Sequence, residues 1–143
     1  MPQVLAVCIS EKKGTVKHPV PEIQLKIDHG IVGDAHAGNW HRQVSLLADE
    51  SVERMRQRFP DIPTGAFAEN ILTQGIALSM LPIGTKLRVG QVLLQVTQIG
   101  KECHADCAIR RQVGDCVMPR EGIFTKVLEE GSIRPGDEIT IEV

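Results

Sequence analysis

The sequence predicts a mainly β fold, a barrel-like or strongly bent sheet with one or two attached α-helices. Three observations carry this expectation. Apolar residues fall in short runs, several of them with the two-residue alternation of a strand. Thirteen glycines punctuate those runs, as expected of tight corners between strands. Only one segment carries a clear helical period.

Taken in order, QVLAVCI (residues 3–9) is an apolar run without polar alternation, which suits a strand buried on both faces, with Cys8 as core. Residues 10–21, with Lys12, Lys13, Gly14, Lys17, Pro19 and Pro21, read as an exposed loop with room for a brief strand. Residues 23–27 are a strand candidate, and the glycines of 30–33 turn the chain into the polar stretch GDAHAGNWH. A strand over 44–47 follows. Asp49 then reads as a helix N-cap, with Glu50 and Glu53 near the positive end of the helix. Val52, Met55 and Phe59 recur at helical spacing, and Pro60 ends the pattern.

The remainder is β in texture. Residues 68–73 form a strand candidate, and Pro82, Gly84 and Gly90 mark corners. QVLLQVTQI (residues 91–99) is the strongest strand, with Val92, Leu94 and Val96 on one face. Residues 122–128 suit another strand, and IRPGD (133–137) a turn. The last six residues alternate Ile139, Ile141 and Val143 against Glu138, Thr140 and Glu142, a half-buried strand. No repeat, low-complexity tract or linker interrupts this order. The 143 residues are read as one domain, 1–143, able to bury roughly two-thirds of the unfolded surface.

Composition narrows the function. Sixteen Lys and Arg against eighteen Asp and Glu give a net charge of −2, which provides no general field for nucleic acid. Trp40, Phe59, Phe67 and Phe124 are the whole aromatic set, poor material for stacking bases. No run approaches the ~20 apolar residues that span a bilayer. The first ten residues lack a signal peptide's basic and apolar regions. The expectation is a cytoplasmic protein with reduced thiols, so Cys8, Cys103, Cys107 and Cys116 are not read as two disulfides.

Three of those four cysteines fall within fourteen residues, in GKECHADCAIRRQVGDCVMPRE (100–121). A thiolate at neutral pH needs positive charge nearby, and Lys101, Arg110 and Arg111 supply it. The same cations suit a phosphate or another anion. The segment therefore reads as a nucleophilic or ligating sulfur beside an anion pocket. Each cysteine taken alone also fits a small core residue. Structural zinc on Cys103, His104, Cys107 and Cys116 has the right ligand number, but the paired CxxC spacing is absent and adjacent Cys103 and His104 would struggle to face one metal. An iron–sulfur cluster has less support, because Cys8 is remote.

A second polar cluster, GDAHAGNWHRQVSLL (33–47), puts Asp34, His36, His41 and Arg42 at a pocket rim just before a strand. Each histidine also fits a locally bonded loop residue. A third, TGAFAENI (64–71), carries Glu69 and Asn70 into an otherwise apolar strand, a weaker pointer to a pocket role. GxxxxGK[ST], GxGxxG and GxSxG do not occur, so phosphoryl transfer, dinucleotide binding and serine hydrolysis lack their simplest support.

The order GDAHAG…HRQVSLL, GAFAENI, LPIGTKLRVGQVLLQVTQIGKEC and GIFTKVLEEGSIRPGD resembles the MOSC family, named for the C-terminal domain of molybdenum cofactor sulfurase. The chain is similar to its short, stand-alone bacterial members. The resemblance implies a β-barrel-like fold, molybdenum cofactor (molybdopterin) as the ligand, and one functional cysteine after the long strand. That position falls on Cys103, as thiolate ligand to molybdenum or persulfide carrier, with Cys107 as the alternative. Cys107 or Cys116 would resolve a persulfide by exchange. Arg42, Lys101, Arg110 and Arg111 would hold the anionic end of the cofactor, and Glu69 and Asn70 would supply directed hydrogen bonds. The implied partner is a molybdenum cofactor biosynthesis or cysteine desulfurase-type protein. A storage, transport or regulatory protein without turnover is the rival reading, followed by a reductase of N-hydroxylated compounds. The oligomeric state stays open.

Overall fold

The computed structural model describes residues 2–12, 16–100 and 121–142. Within them the chain forms β1 (Gln3–Ile9), β2 (His18–Val20), β3 (Ile23–Lys26), β4 (Gly30–Ile31), β5 (Val44–Ala48), α1 (Asp49–Arg56), β6 (Ile71–Gln74), β7 (Lys86–Val89), β8 (Val92–Ile99), β9 (Ile123–Glu129), β10 (Gly131–Ile133) and β11 (Ile139–Glu142). A short 3-10 turn spans Leu78–Met80.

Eight strands hydrogen-bond in the order β11-β7-β8-β9-β5-β6-β1-β2, and β10-β3-β4 form a smaller sheet. All pairs are antiparallel except β5 with β6, whose crossover contains α1. The mainly β expectation therefore stands. Closure into a barrel is not shown: among the described residues neither sheet closes on itself. The two ends of the large sheet do approach each other. An isolated bridge joins Gln3 to Glu138, and Val4 N–H donates to Asp137 O at 2.9 Å.

The alternation read from the sequence sorts the core. Val92, Leu94 and Val96 of β8 face a cluster with Val44 and Leu46 of β5, Leu25, Ile31 and Ile133. Leu47, Leu72 and Phe124 face the other way, against Val52 and Met55 of α1 and against Phe67. Every residue of β5 is buried, because it lies between β9 and β6 with apolar neighbours on both faces.

Three local readings change. Asp49 does not cap α1: Ala48 occupies that position without a side-chain hydrogen bond, and Asp49 instead pairs with Arg56 at 3.4 Å. β6 begins at Ile71 because the preceding turn needs Ala68 at φ 63 and uses the polar groups of Glu69 and Asn70 for bracing. Residues 10–21 do contain a brief strand, but Ser10 and Lys17 are buried. A buried lysine is exceptional unless paired, and Lys17 is paired.

Candidate functional site

The site grows from the loop that follows β4. Gly33 holds φ 87 and turns the chain, and Asp34 is drawn inward. Asp34 Oδ1 accepts from Lys17 Nζ at 2.8 Å and from the Ser10 N–H at 3.1 Å. Its Oδ2 accepts the His36 N–H at 3.1 Å. The Lys17 and Asp34 side chains are both completely shielded from solvent. Lys17 Nζ also donates to Ser10 Oγ at 3.1 Å and stands 3.1 Å from His36 Nδ1. A buried ion pair survives only with its remaining donors and acceptors satisfied, which these contacts achieve.

Trp40 joins this cluster to the next. Its Nε1–H donates to His36 O at 2.7 Å, and its ring lies parallel to the His36 ring with centroids 6.5 Å apart. It meets His41 edge-on at 5.8 Å. Gln98, near the end of β8, then gathers three groups. Its Oε1 accepts from Arg42 Nε at 3.0 Å and lies 3.0 Å from His41 Nε2. Its Nε2 donates to Gly100 O at 2.7 Å. The Arg42 guanidinium lies over the Phe124 ring at 5.2 Å, within cation–π range. Among the described residues no carboxylate pairs with Arg42. Beside this cluster a cavity of about 310 Å³ is lined by Trp40, His41, Thr97 and Lys126, among others.

The floor is a second buried polar layer. Both Glu69 oxygens accept backbone N–H groups, from Gly65 at 2.9 Å and Phe67 at 3.2 Å. Burial pushes the Glu69 carboxyl up, against the lowering effect of those bonds and of Arg56. Asn70 Oδ1 accepts the Ser45 N–H at 3.0 Å and its Nδ2 donates to Cys8 O at 3.1 Å. Burial, helped by Glu69 and opposed by Lys17, pushes the Cys8 thiol up to about 12. Cys8 is thus an inert core thiol, as its strand suggested.

The expected site residues therefore divide. Asp34, His36, His41 and Arg42 come together, joined through Trp40 and Gln98. The hydrogen bonds of Glu69 and Asn70 go to the chain itself, bracing the wall beneath Lys17. Lys101, Cys103, Cys107, Arg110, Arg111 and Cys116 lie outside the described residues. On either side of that segment, the described residues Gly100 and Gly122 meet, with Gly100 N–H donating to Gly122 O at 2.6 Å. Among the described residues no group of three or more His, Cys, Asp and Glu could hold a metal ion. Sequence reasoning missed Lys17, Ser10 and Gln98. Lys17 lies in a polar, proline-bearing stretch that looks like surface, and Gln98 belongs to a run whose alternation reads only as strand.

This geometry defines a β-rich domain with a polar, cation-bearing site gathered at strand ends. The model of the MOSC domain matches residues 33–140. The chain belongs to the MOSC domain family and is a molybdenum cofactor-related domain. Among solved structures, the YuaD protein from Bacillus subtilis is similar over 97% of this chain and 94% of its own, at 18% identity and a TM-score of 0.77. YiiM from Geobacillus stearothermophilus is similar over 100% of this chain and 76% of its own, at 20% identity and a TM-score of 0.75. YiiM from Escherichia coli shares 20% identity over 100% of this chain and 70% of its own, with a TM-score of 0.71. At these identities the likeness is one of fold. No curated protein matches.

Proposed function

We propose that this domain binds molybdenum cofactor or carries its sulfur, acting through a thiolate of residues 101–120, with Cys103 as the working cysteine. The observation that carries the reading is the double use of Gln98. One end of its amide holds Arg42 and contacts His41, and the other holds Gly100, the residue before the cysteine segment. Gly100 is thereby linked through one side chain to a fixed cation that has no carboxylate partner among the described residues. A thiolate and an anionic ligand need that same environment.

The residues fit a phosphate-bearing pterin. Arg42 is the available cation, oriented by Gln98 and the Phe124 ring. Lys17 has its donors engaged within the protein and serves as a positioning residue. Lys101, Arg110 and Arg111 add positive charge to the same segment as Cys103. Glu69 and Asn70 hold the backbone that bears the wall. When bound, the cofactor would supply a molybdenum centre that takes a cysteine thiolate as ligand.

The test is anaerobic purification followed by metal analysis and intact mass, on the wild type and on Cys103→Ser. Near-stoichiometric molybdenum with a pterin, lost in the variant, supports cofactor binding. A mass increase of one sulfur (~32 Da) without metal supports the persulfide carrier. Retention unchanged in Cys103→Ser overturns the role of that residue, and zinc alone overturns the cofactor reading.

A further inference from the structure

We propose that the cavity beside the His41 cluster is a binding site for a small, flat, uncharged molecule that carries a carbonyl oxygen, and that the side-chain amide of Gln43 recognises that oxygen. The site stands apart from the cofactor reading, since recognition through Gln43 calls on neither Arg42 nor a cysteine.

Gln43 precedes β5 and is 2% exposed. Its Oε1 accepts the Val127 N–H at 2.9 Å. A backbone N–H can only donate, so the oxygen of the amide faces β9 and its NH2 group is turned elsewhere. The strand register explains the bond. β5 pairs with β9 from Val44 opposite Thr125, and beyond that pair the Gln43 side chain takes the place of a backbone acceptor for Val127. Val127 is itself buried, so turning the amide would leave a buried N–H without a partner. Gly30 packs directly on the residue: a Cβ added there would stand 2.9 Å from Gln43 Cβ and 3.0 Å from its carbonyl oxygen.

Nothing among the described residues accepts from Gln43 Nε2. A buried amide nitrogen usually has an acceptor. Among those residues, the one fully sealed side-chain nitrogen or oxygen without a partner is Thr73 Oγ1, so Gln43 Nε2 is not sealed. The little surface that Gln43 keeps therefore includes its amide nitrogen, and the space it meets is the cavity of about 310 Å³ that it lines.

The walls set the rest of the ligand. Trp40 and Ile27 present apolar surface to the cavity, which suits a flat ring. Asp28 and Lys126 line it too, and both are exposed. Their opposite charges offset each other, so neither an anion nor a cation gains a net field there. Thr97 Oγ is taken by the carbonyls of His41 and Phe124, and His41 Nε2 by Gln98. Gln43 is left as the donor held in a fixed direction. An uncharged carbonyl oxygen loses less hydration than a carboxylate on entering, and it satisfies the waiting amide hydrogens.

The test is a titration of the full chain with benzamide, benzoate and benzylamine, followed through Trp40 fluorescence and the side-chain amide signals of nitrogen-labelled protein. Gln43→Glu keeps an oxygen for Val127 and removes the NH2 group, and the loss of a signal in that variant identifies Gln43. The expected result is saturable binding of benzamide with a shift of the Gln43 NH2 signals. Each charged analogue should bind more weakly by about tenfold or more, and Gln43→Glu should weaken benzamide by a similar factor. No saturable response to benzamide up to millimolar concentration overturns the site. Benzoate or benzylamine binding as well as benzamide overturns the selection for an uncharged ligand. Unchanged benzamide affinity in Gln43→Glu, or a wild-type titration that leaves the Gln43 signals in place, overturns the role of Gln43. If Gln43→Glu does not fold, triple-resonance assignment identifies the signal and the wild-type titration decides.

Discussion

Gly65→Ala tests the link between the backbone and the site. Gly65 sits at φ +91, and an added Cβ would stand 2.1 Å from the carbonyl oxygen of Lys17 and 2.7 Å from its carbon. The same glycine accepts the Lys17 N–H at 2.8 Å and donates its own N–H to Glu69 at 2.9 Å. Gly84 supplies the control, with φ +97 and nothing within 4 Å of its added Cβ. Gly84→Ala therefore measures the left-handed backbone cost, about 1–2 kcal/mol. Gly65→Ala carries that cost and also an overlap with backbone atoms that cannot rotate away, about 1–3 kcal/mol. Losing the Lys17 N–H bond adds about 1 kcal/mol. The gain from restricting the unfolded chain is common to both variants and cancels. Urea unfolding followed through Trp40, the one tryptophan of the chain, should place Gly65→Ala below Gly84→Ala by about 2–4 kcal/mol. Equal losses would refute the close approach of Gly65 and Lys17.

Other expectations follow from the buried polar layer. Lys17→Met leaves the Asp34 carboxylate buried without its cation, so unfolding in urea should show a loss of about 3–5 kcal/mol; a loss below about 1 kcal/mol, the range of an exposed pair, would contradict the burial of both groups. Glu69 has a folded-state value above the usual 4.5, so its contribution to stability is full below that value and declines as pH rises through the raised one. Urea midpoints measured upward from pH 4.5 should therefore show the wild type losing ground to Glu69→Gln as pH rises, and the opposite slope would refute the direction of the shift. Cys8, with its thiol held up to about 12, should resist maleimide in the folded protein and label only on unfolding, as peptide mapping by mass would show.

The strands were legible because burial here follows period two. Val92, Leu94 and Val96 share a face in the alternation and share one core cluster in the fold. Helix α1 was legible from Val52 and Met55, both buried against the sheet. Whether the sheet closes was not, because that depends on how far the sheet coils, and the bridge of Gln3 with Glu138 joins residues far apart in the chain. The site was half legible. Asp34, His36, His41 and Arg42 stood out as a polar knot ahead of an apolar strand, and they do meet. Lys17 did not stand out, since its burial depends on Asp34, distant in sequence, and no local pattern encodes that pairing. Glu69 and Asn70 were visible as polar intruders in an apolar run, yet the sequence alone could not show that their hydrogen bonds turn inward to Gly65, Phe67 and Cys8.

The Lys17–Asp34 pair also bears on why the cluster exists. Removing two charges from water costs several kcal/mol per ion before their attraction offsets it, and well-packed apolar replacements of such pairs are often neutral or stabilising. Stability alone therefore gives little reason for an ion pair with both side chains fully shielded. What apolar side chains cannot do is orient. Asp34 fixes the end of β1 through Ser10, the ammonium of Lys17 and the backbone of His36 with two oxygens. The double variant Lys17→Met with Asp34→Leu separates these roles. It removes both charges at once, so the penalty of a lone buried ion disappears and its urea midpoint should lie well above that of Lys17→Met. The Trp40 indole, which donates to the His36 carbonyl and stacks on its ring, should nevertheless lose its fixed setting, read as a change in its fluorescence. A double variant that regains stability and keeps the wild-type Trp40 fluorescence would show that the ion pair is not needed to orient this loop.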